Sequence, residues 1–589
     1  MRRSQGAFPL IKIPVRINET LNKPFGLNPQ KSNASEAADK PFRVILLTAL
    51  AVLGPIALFV LYYKIMFPGL VNPDAMDFAQ LARNLSSGHG FSTFVLRPLA
   101  LTHGSNPLNQ PDLVHGPLYP FILAMAFGVL GAKDSVAAYV SGLFYLLTIP
   151  VVYLMGRRVF SHKVGLYTAL IFTFNALLLE YAASGLHITL YVFLATCLML
   201  TTYNLVRKIN EMDDAVKPRF PRGLTALAGI LTALLYLTDP IFFWFMPAMA
   251  VAVIWFCPRN RGAAAIWFLI PMFTLAAPWM IRNASLTGNP LFGLSGMQLW
   301  MNTKNTYPGD IAWRMFSADL TPGKGLLNDV FRKFLLGAGQ VIQAFPQVTA
   351  SWVLAFFLPS LLFRFTDRAV NSLRITMMSC FCSIFFGMLL FNLQMPLFVS
   401  LIPTMLVFSV AYLLYLAQQA KLTGPGAAFL SILVTVAVVF PLVSDLTLSD
   451  HTPRLKEAET VMALGKISKP GDVVLCDQPW VVAWYANRPS VWIPADDARI
   501  TSVRNQFKDA KWLCMTERVS RYSPSWQYVY QVFYQWNSAV SRAVATKGKV
   551  PGPIQIRGSQ PPLAQSLNGF VSIPPLDKAQ SNTFLAVVQ

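Results

Sequence analysis

Asn72-Pro73-Asp74-Ala75-Met76-Asp77-Phe78-Ala79-Gln80-Leu81-Ala82-Arg83-Asn84-Leu85 follows directly on the first long apolar stretch of the chain, and Gly88 and Gly90 come just after it. These letters predict a short helix lying at a lipid surface. Asn72 can cap it, Pro73 suits its first turn, and Asp74 sits at the positive end of its dipole. Phe78, Leu81 and Leu85 make an apolar stripe at spacings of three and four. The two glycines supply the stop. A carboxylate held just beyond a membrane span can serve as a base for chemistry at that surface.

Working outward, the composition agrees with a membrane setting. The chain has 589 residues, 54% hydrophobic and only 13% charged, whereas soluble domains carry about 25% charged residues. A net charge of +21 raises nucleic acid as a partner. The basic residues instead sit in short clusters between apolar stretches, as in the cytoplasmic loops of membrane proteins. The six cysteines show no zinc-ligand spacing; Cys476 and Cys514 lie together in the tail and could pair, but unpaired buried thiols are the expected state. No cleavable signal peptide is expected; residues 1–41 are polar and basic and read as a disordered cytoplasmic arm.

Apolar stretches near 44–66, 135–155, 164–180, 186–206, 223–239, 240–257, 263–281, 346–363, 375–393, 396–416 and 424–444, with a shorter one at 117–130, predict an all-α polytopic bundle of about 11–13 spans. Arg207, Lys208, Lys217, Arg219 and Arg222, then Arg259 and Arg261, then Arg364, Arg368 and Arg374, mark cytoplasmic loops. The N-terminus then lies inside, and loops 68–116 and 282–345 and everything after 445 lie outside. One parity problem stays open. Arg157, Arg158 and Lys163 read as cytoplasmic, which requires an odd number of crossings after the first outer loop, yet two candidates precede them.

The membrane module is thus expected over 42–444. Residues 445–550 are expected to form a small extracytoplasmic α/β domain, with helices at 457–467 and 500–507 and strands at 472–476 and 490–493. Residues 551–589, rich in Pro, Ser, Gln and Gly, are expected to be loosely ordered.

Moving a sugar off a lipid phosphate needs a base for the acceptor and a cation or metal for the departing phosphate. The first outer loop carries such a set: Asp74 and Asp77, three apart on similar helix faces, then Arg97, His103 and His115. Each also has a plainer reading. Asp74 could be an ordinary first-turn acid, Asp77 part of a solvated face, Arg97 a lipid-headgroup contact, and His115 an interfacial histidine. The second outer loop adds Lys304 as a phosphate-binding candidate, beside Trp300, Tyr307, Asp310, Trp313 and Arg314.

The pattern Asp74, Phe78-Ala79, Ala82-Arg83-Asn84-Leu85, Gly88 and Gly90-Phe91 resembles the first outer loop of GT-C superfamily glycosyltransferases. The similarity is greatest to the bacterial branch related to protein O-mannosyltransferases and lipid A aminoarabinose transferases. Pro117-Leu118-Tyr119-Pro120, Pro278-Trp279-Met280-Ile281-Arg282-Asn283 with Thr287-Gly288-Asn289-Pro290, and Pro479-Trp480 through Trp492-Ile493-Pro494 resemble further stretches of that family, in the same order.

The resemblance implies an outward cavity and inverting transfer from a polyprenyl-phosphate sugar, assisted by a divalent metal or by cations. By position, Asp74 matches the family's base, with Asp77 in reserve. His115 stands where some relatives place a metal ligand, and Arg282 lies where a phosphate could rest. The chain departs from the pattern at Ala75, at Ser184-Gly185-Leu186-His187-Ile188 and at Asn392-Leu393-Gln394-Met395-Pro396, where relatives often carry acids or an Arg-Tyr pair. The expected function is an inner-membrane glycosyltransferase using a lipid-linked donor and a lipid, glycan or protein acceptor. A flippase of lipid-linked glycans and a non-catalytic assembly component that kept the fold are the rival readings.

Overall fold

The computed structural model describes residues 34–588, apart from gaps of one to three residues and the longer stretches 214–218, 293–312, 315–325, 449–455, 555–566 and 574–582. Lys304, Trp300, Tyr307 and Asp310 lie outside the described residues. The first helix, Ala34–Met66, already begins inside the stretch expected to be an arm.

Most stretches expected to cross the membrane are found as single apolar helices, whereas 164–180 and 346–363 are each divided between two. Fewer than expected are long enough to cross alone. Among the described residues seven helices meet that length, or eight if one bent pair counts as a span. The shorter apolar helices Arg222–Thr238 and Pro240–Phe256 add two more candidates and bring the number to ten, short of the expected count of about 11–13 spans. The shortfall has local causes. Asn175 interrupts one apolar run by capping a new helix through Leu178 N, and the two halves meet at 57°. Asp239 likewise ends one helix and caps the next turn through Ile241 N. Elsewhere the helices approach closely: a Cβ on Gly229 would lie 2.2 Å from the carbonyl oxygen of Phe268 on Arg261–Thr287, the small-residue contact that suits packing in lipid.

Leu118–Leu130 resolves the parity problem. At 13 residues it is about 20 Å long, too short for a hydrocarbon core of about 30 Å. Its beginning is tied to Gly185 by the Tyr119 hydroxyl at 2.7 Å. Near its other end Phe127 stacks on Trp484. Asp134, which opens the next helix, accepts from Leu70 N, Trp484 Nε1 and the Tyr485 hydroxyl. Both ends therefore lie on the side where the first span emerges. Phe121, Met125 and Val129, four apart, are 49%, 67% and 84% exposed, an apolar face turned to lipid. The helix lies in the interface, and Asp134–Val159 is the single crossing that leads to Arg157 and Arg158.

In the first outer loop β1 (Ser92–Thr93) pairs antiparallel with β3 (Gln110–Pro111). The tail folds around a six-stranded sheet in the order β2 (Val95–Leu96), β5 (Ser490–Trp492), β4 (Val473–Cys476), β6 (Ala510–Met515), β8 (Phe584–Val588), β7 (Phe570–Ser572). β4 (Val473–Cys476), β5 (Ser490–Trp492) and β6 (Ala510–Met515) are parallel neighbours. The helices Lys456–Ile467 and Arg499–Gln506 fall where the sequence placed them. Two features differ from expectation. β2 (Val95–Leu96) comes from the first outer loop and pairs in parallel with β5. β8 (Phe584–Val588) and β7 (Phe570–Ser572) come from the stretch expected to be loose, and β8 pairs antiparallel with β6. The run Phe584-Leu585-Ala586-Val587-Val588 is apolar enough to fill a strand, a signal diluted by the polar residues before it.

Residues alternate across this sheet as the pleat requires. Val473, Leu475, Leu513 and Met515 pack with Val503, Trp526 and Phe533. Val474, Cys476, Trp512 and Cys514 join the cluster that continues through Trp480 and Trp484 into the bundle. Arg83 fixes the two parts together, donating to the carbonyls of Trp484 and Ala483 at 2.8 and 2.5 Å. Trp484 and Tyr485 thus serve in docking through Asp134 and Arg83.

Candidate active site

The helix Pro73–Ser86 forms as its sequence predicts. The Asn72 side chain accepts from Asp74 N at 2.9 Å, and Gly88 and Gly90 follow its end with φ of 81° and 69°. Asp74, in the first turn, is exposed. Asp77, one turn on, is 2% exposed. A solvated face was one reading of Asp77, and the structure replaces it with a buried ion pair.

Asp77 Oδ2 lies 2.5 Å from the Arg97 guanidinium, and its Oδ1 accepts from Gln80 at 2.9 Å. Gln80 also donates to Thr93 and accepts from Phe94 N, fixing the start of β2 against the helix. β2 then delivers Arg97 at its C-terminal end. Beyond it stands Asp112, a residue the sequence reading passed over. Asp112 Oδ2 accepts from Val114 N and His115 N and lies 3.2 Å from His115 Nδ1. Its Oδ1 is 3.9 Å from Arg97. His115 Nε2 lies 3.7 Å from Asp77. Two acids and two bases thus close a buried ring.

The charges hold one another. Burial alone opposes ionisation of the His115 ring, but Asp112 and Asp77 outweigh it and raise its pKa from 6.5 to about 9. Burial likewise opposes charge on Asp112, yet His115 and Arg97 bring it from 3.8 down to about 2. At neutral pH the His115 ring is therefore held protonated beside an ionised Asp112.

Arg282 joins from the helix Arg261–Thr287. It donates to the carbonyls of Asp112 and Phe91 at 3.0 and 3.4 Å. Its guanidinium stacks over Trp279 at 4.5 Å and Phe91 at 5.2 Å. Trp279 and Asn283 line a small cavity with His115 and Tyr236. The structure thus gathers Asp74, Asp77, Arg97, His115 and Arg282 about one loop. His103 stands aside, its ring edge-on to Phe292.

A divalent cation was expected at His115, and the residues present do not fit one. Asp77 is already engaged by Arg97, and Asp112 Oδ2 by the backbone N–H groups of Val114 and His115. Among the described residues no group of three or more His, Cys, Asp or Glu side chains has the geometry to hold a metal ion.

A second pair escaped the sequence reading. His187 Nε2 lies 3.2 Å from Asp239 Oδ2, so the residue that ends one helix and caps the next turn is also an ion-pair partner. The ring of Phe78 sits between the two histidines, 4.7 Å from His115 and 4.6 Å from His187. No spacing rule links positions so far apart in the chain.

Residues 114–281 match the profile of the dolichyl-phosphate-mannose-protein mannosyltransferase family. No curated protein sequence matches the chain. Among solved structures the chain is similar to ArnT from Cupriavidus metallidurans bound to undecaprenyl phosphate, at 12% identity over 92% of this chain and 98% of that one, with a TM-score of 0.52. It is also similar to the oligosaccharyltransferase AglB from Archaeoglobus fulgidus, solved with an inhibitory peptide and a dolichol-phosphate. There the identity is 13%, over 81% of this chain and 70% of that one, with a TM-score of 0.52. The same archaeal enzyme with zinc and sulfate gives a TM-score of 0.51 over 79% of this chain and 68% of that one, at 13% identity.

Proposed function

We propose that this multi-pass membrane protein, whose fold is that of the GT-C glycosyltransferases it is similar to, moves a sugar from a polyprenyl-phosphate carrier to an acceptor at the outer face of a bacterial inner membrane, with Asp74 as the base. One observation carries this reading. An exposed carboxylate opens a helix whose next turn holds a buried, charge-balanced ring bearing Arg97 and His115. Asp77 is consumed in that ring, so Asp74 is the acid of the pair left accessible to an incoming hydroxyl or amine.

In the proposed step Asp74 takes the acceptor's proton as the acceptor oxygen or nitrogen attacks the anomeric carbon. The bond from that carbon to the phosphate oxygen breaks on the opposite face, which inverts the centre. The carrier leaves as a phosphate, with Arg282 as the half-buried cation nearest the loop and Arg97 behind it. No metal enters this scheme. The short clusters of Arg and Lys support a cytoplasmic N-terminus and an external tail, and the tail's docking above the first outer loop suits a role in holding the acceptor.

The test uses purified protein, a radiolabelled polyprenyl-phosphate hexose and host membrane extract. Label transfer that is lost in Asp74→Asn is the expected result. Undiminished transfer in Asp74→Asn removes the assigned base. Movement of the labelled lipid across the bilayer with no transfer removes the enzyme reading in favour of a flippase.

A further inference from the structure

The tail holds two cysteines, Cys476 and Cys514, and they meet. The other four all precede residue 383 and lie in or beside the membrane helices. Cys476 is the last residue of β4, Cys514 lies in β6, and the two are direct partners in the parallel register. In-register residues on neighbouring strands stand about 4.8 Å apart, inside the window of about 4.4–6.8 Å between Cα atoms that a disulfide spans. Both side chains point to the same face of the sheet, toward Trp480 and the bundle. Both are buried, at 1% and 0% exposure. In the structure both are free.

We infer that Cys476 and Cys514 are joined by a disulfide in the membrane-resident protein, closing β4 to β6 beside the docking surface of the tail. This rests on the proposed external position of the tail, since disulfides persist in oxidising compartments and not in the cytosol. Burial sets when the bond forms: once β4 and β6 are covered, no oxidant reaches either sulfur, so the exchange accompanies folding. One thiolate attacks an external protein or low-molecular-weight disulfide and releases one thiol from it. The second cysteine then displaces the other half as a second thiol. The protein loses two electrons and two protons, and the oxidant gains them.

The bond would also staple a particular place. Asp477, directly after Cys476, accepts from Thr516 N at 3.0 Å and from the Thr516 hydroxyl at 2.5 Å. The C-terminal ends of β4 and β6 are therefore already drawn together by side-chain bonds, and the disulfide would make that junction covalent.

The experiment takes full-length protein in native membranes, denatures it with maleimide and no reductant, and maps the cysteines by mass spectrometry. A linked peptide pair, lighter by two hydrogens than its parts, is expected, and each thiol should become alkylatable in the other's serine variant, Cys476→Ser or Cys514→Ser. Reductant should lower the melting temperature of the wild type and leave that of the double serine variant unmoved. A reporter at exposed Gln535, Gln535→Cys, labelled on intact cells with an impermeant maleimide, separates the two ways of failing. Labelling at Gln535→Cys with both native thiols fully alkylated overturns the disulfide alone. Absence of labelling together with free thiols overturns the orientation and the disulfide with it. Loss or survival of sugar transfer bears on neither.

Discussion

At the scale of single residues, the first outer loop divides labour between two acids three positions apart. Asp74 is exposed and Asp77 is locked, so their asparagine variants should differ in kind. Asp74→Asn should leave the melting temperature unchanged and cut transfer by about 10²–10⁴-fold, the usual contribution of a positioned base. Asp77→Asn strands Arg97 and His115 without their shared counter-charge. It should cost about 3–5 kcal/mol, as breaking a buried pair does, read as a fall in melting temperature in detergent. The His115 pairing adds a pH signature. Its pKa is raised from 6.5 to about 9, so its contribution to stability is complete below 6.5 and is lost as the pH rises through 9. Asp112, lowered from 3.8 to about 2, contributes above 3.8 and loses that contribution as the pH falls through 2. The melting temperature should therefore decline between pH 6.5 and 9, and His115→Gln should flatten that slope. The place of Asp74 in the first turn of its helix was legible in the sequence because a cap, a proline and a dipole act within one turn. The burial of Asp77 was not, because it depends on Arg97 and Asp112, which a strand and a turn bring back from twenty and more residues away.

At the scale of elements, apolar periodicity located each membrane helix but could not tell a crossing from a helix lying flat. Leu118–Leu130 is uniformly apolar, and only its tethers at Gly185 and Asp134 reveal its course. Lys133→Cys should accordingly react with an impermeant maleimide from the same side as a cysteine at exposed His89, and from the side opposite one at Arg158. Labelling of Lys133→Cys and Arg158→Cys from one side would make the short helix a span. Close helix contacts were equally silent in the letters. Gly229 reads as one more small residue, yet a Cβ in its place would run into the Phe268 carbonyl. Gly229→Ala should cost about 1–3 kcal/mol, the range for overpacking, measurable as a lowered melting temperature.

At the scale of the molecule, the tail was read as a separate α/β unit, and its helices and two of its strands fell in place. Its true boundary could not be read, because β2 lies nearly four hundred residues before its partner β5 and is only two residues long. No periodicity survives in so short a strand. A chain ending at Leu448 should keep its membrane helices, lose transfer, and expose residues 92–112 to protease. Protease resistance of that loop in the truncated protein would show that the sheet does not hold it.

The same two residues govern how such a protein can be re-engineered. If the tail holds the acceptor and Arg97 backs the departing carrier, as proposed, the two tasks share one rigid lever, since Leu96 belongs to the sheet and Arg97 to the buried ring. Chimeras that graft a foreign tail onto this bundle should fail unless the segment around Val95 travels with it, and specificity cannot drift in one half while the other stands still.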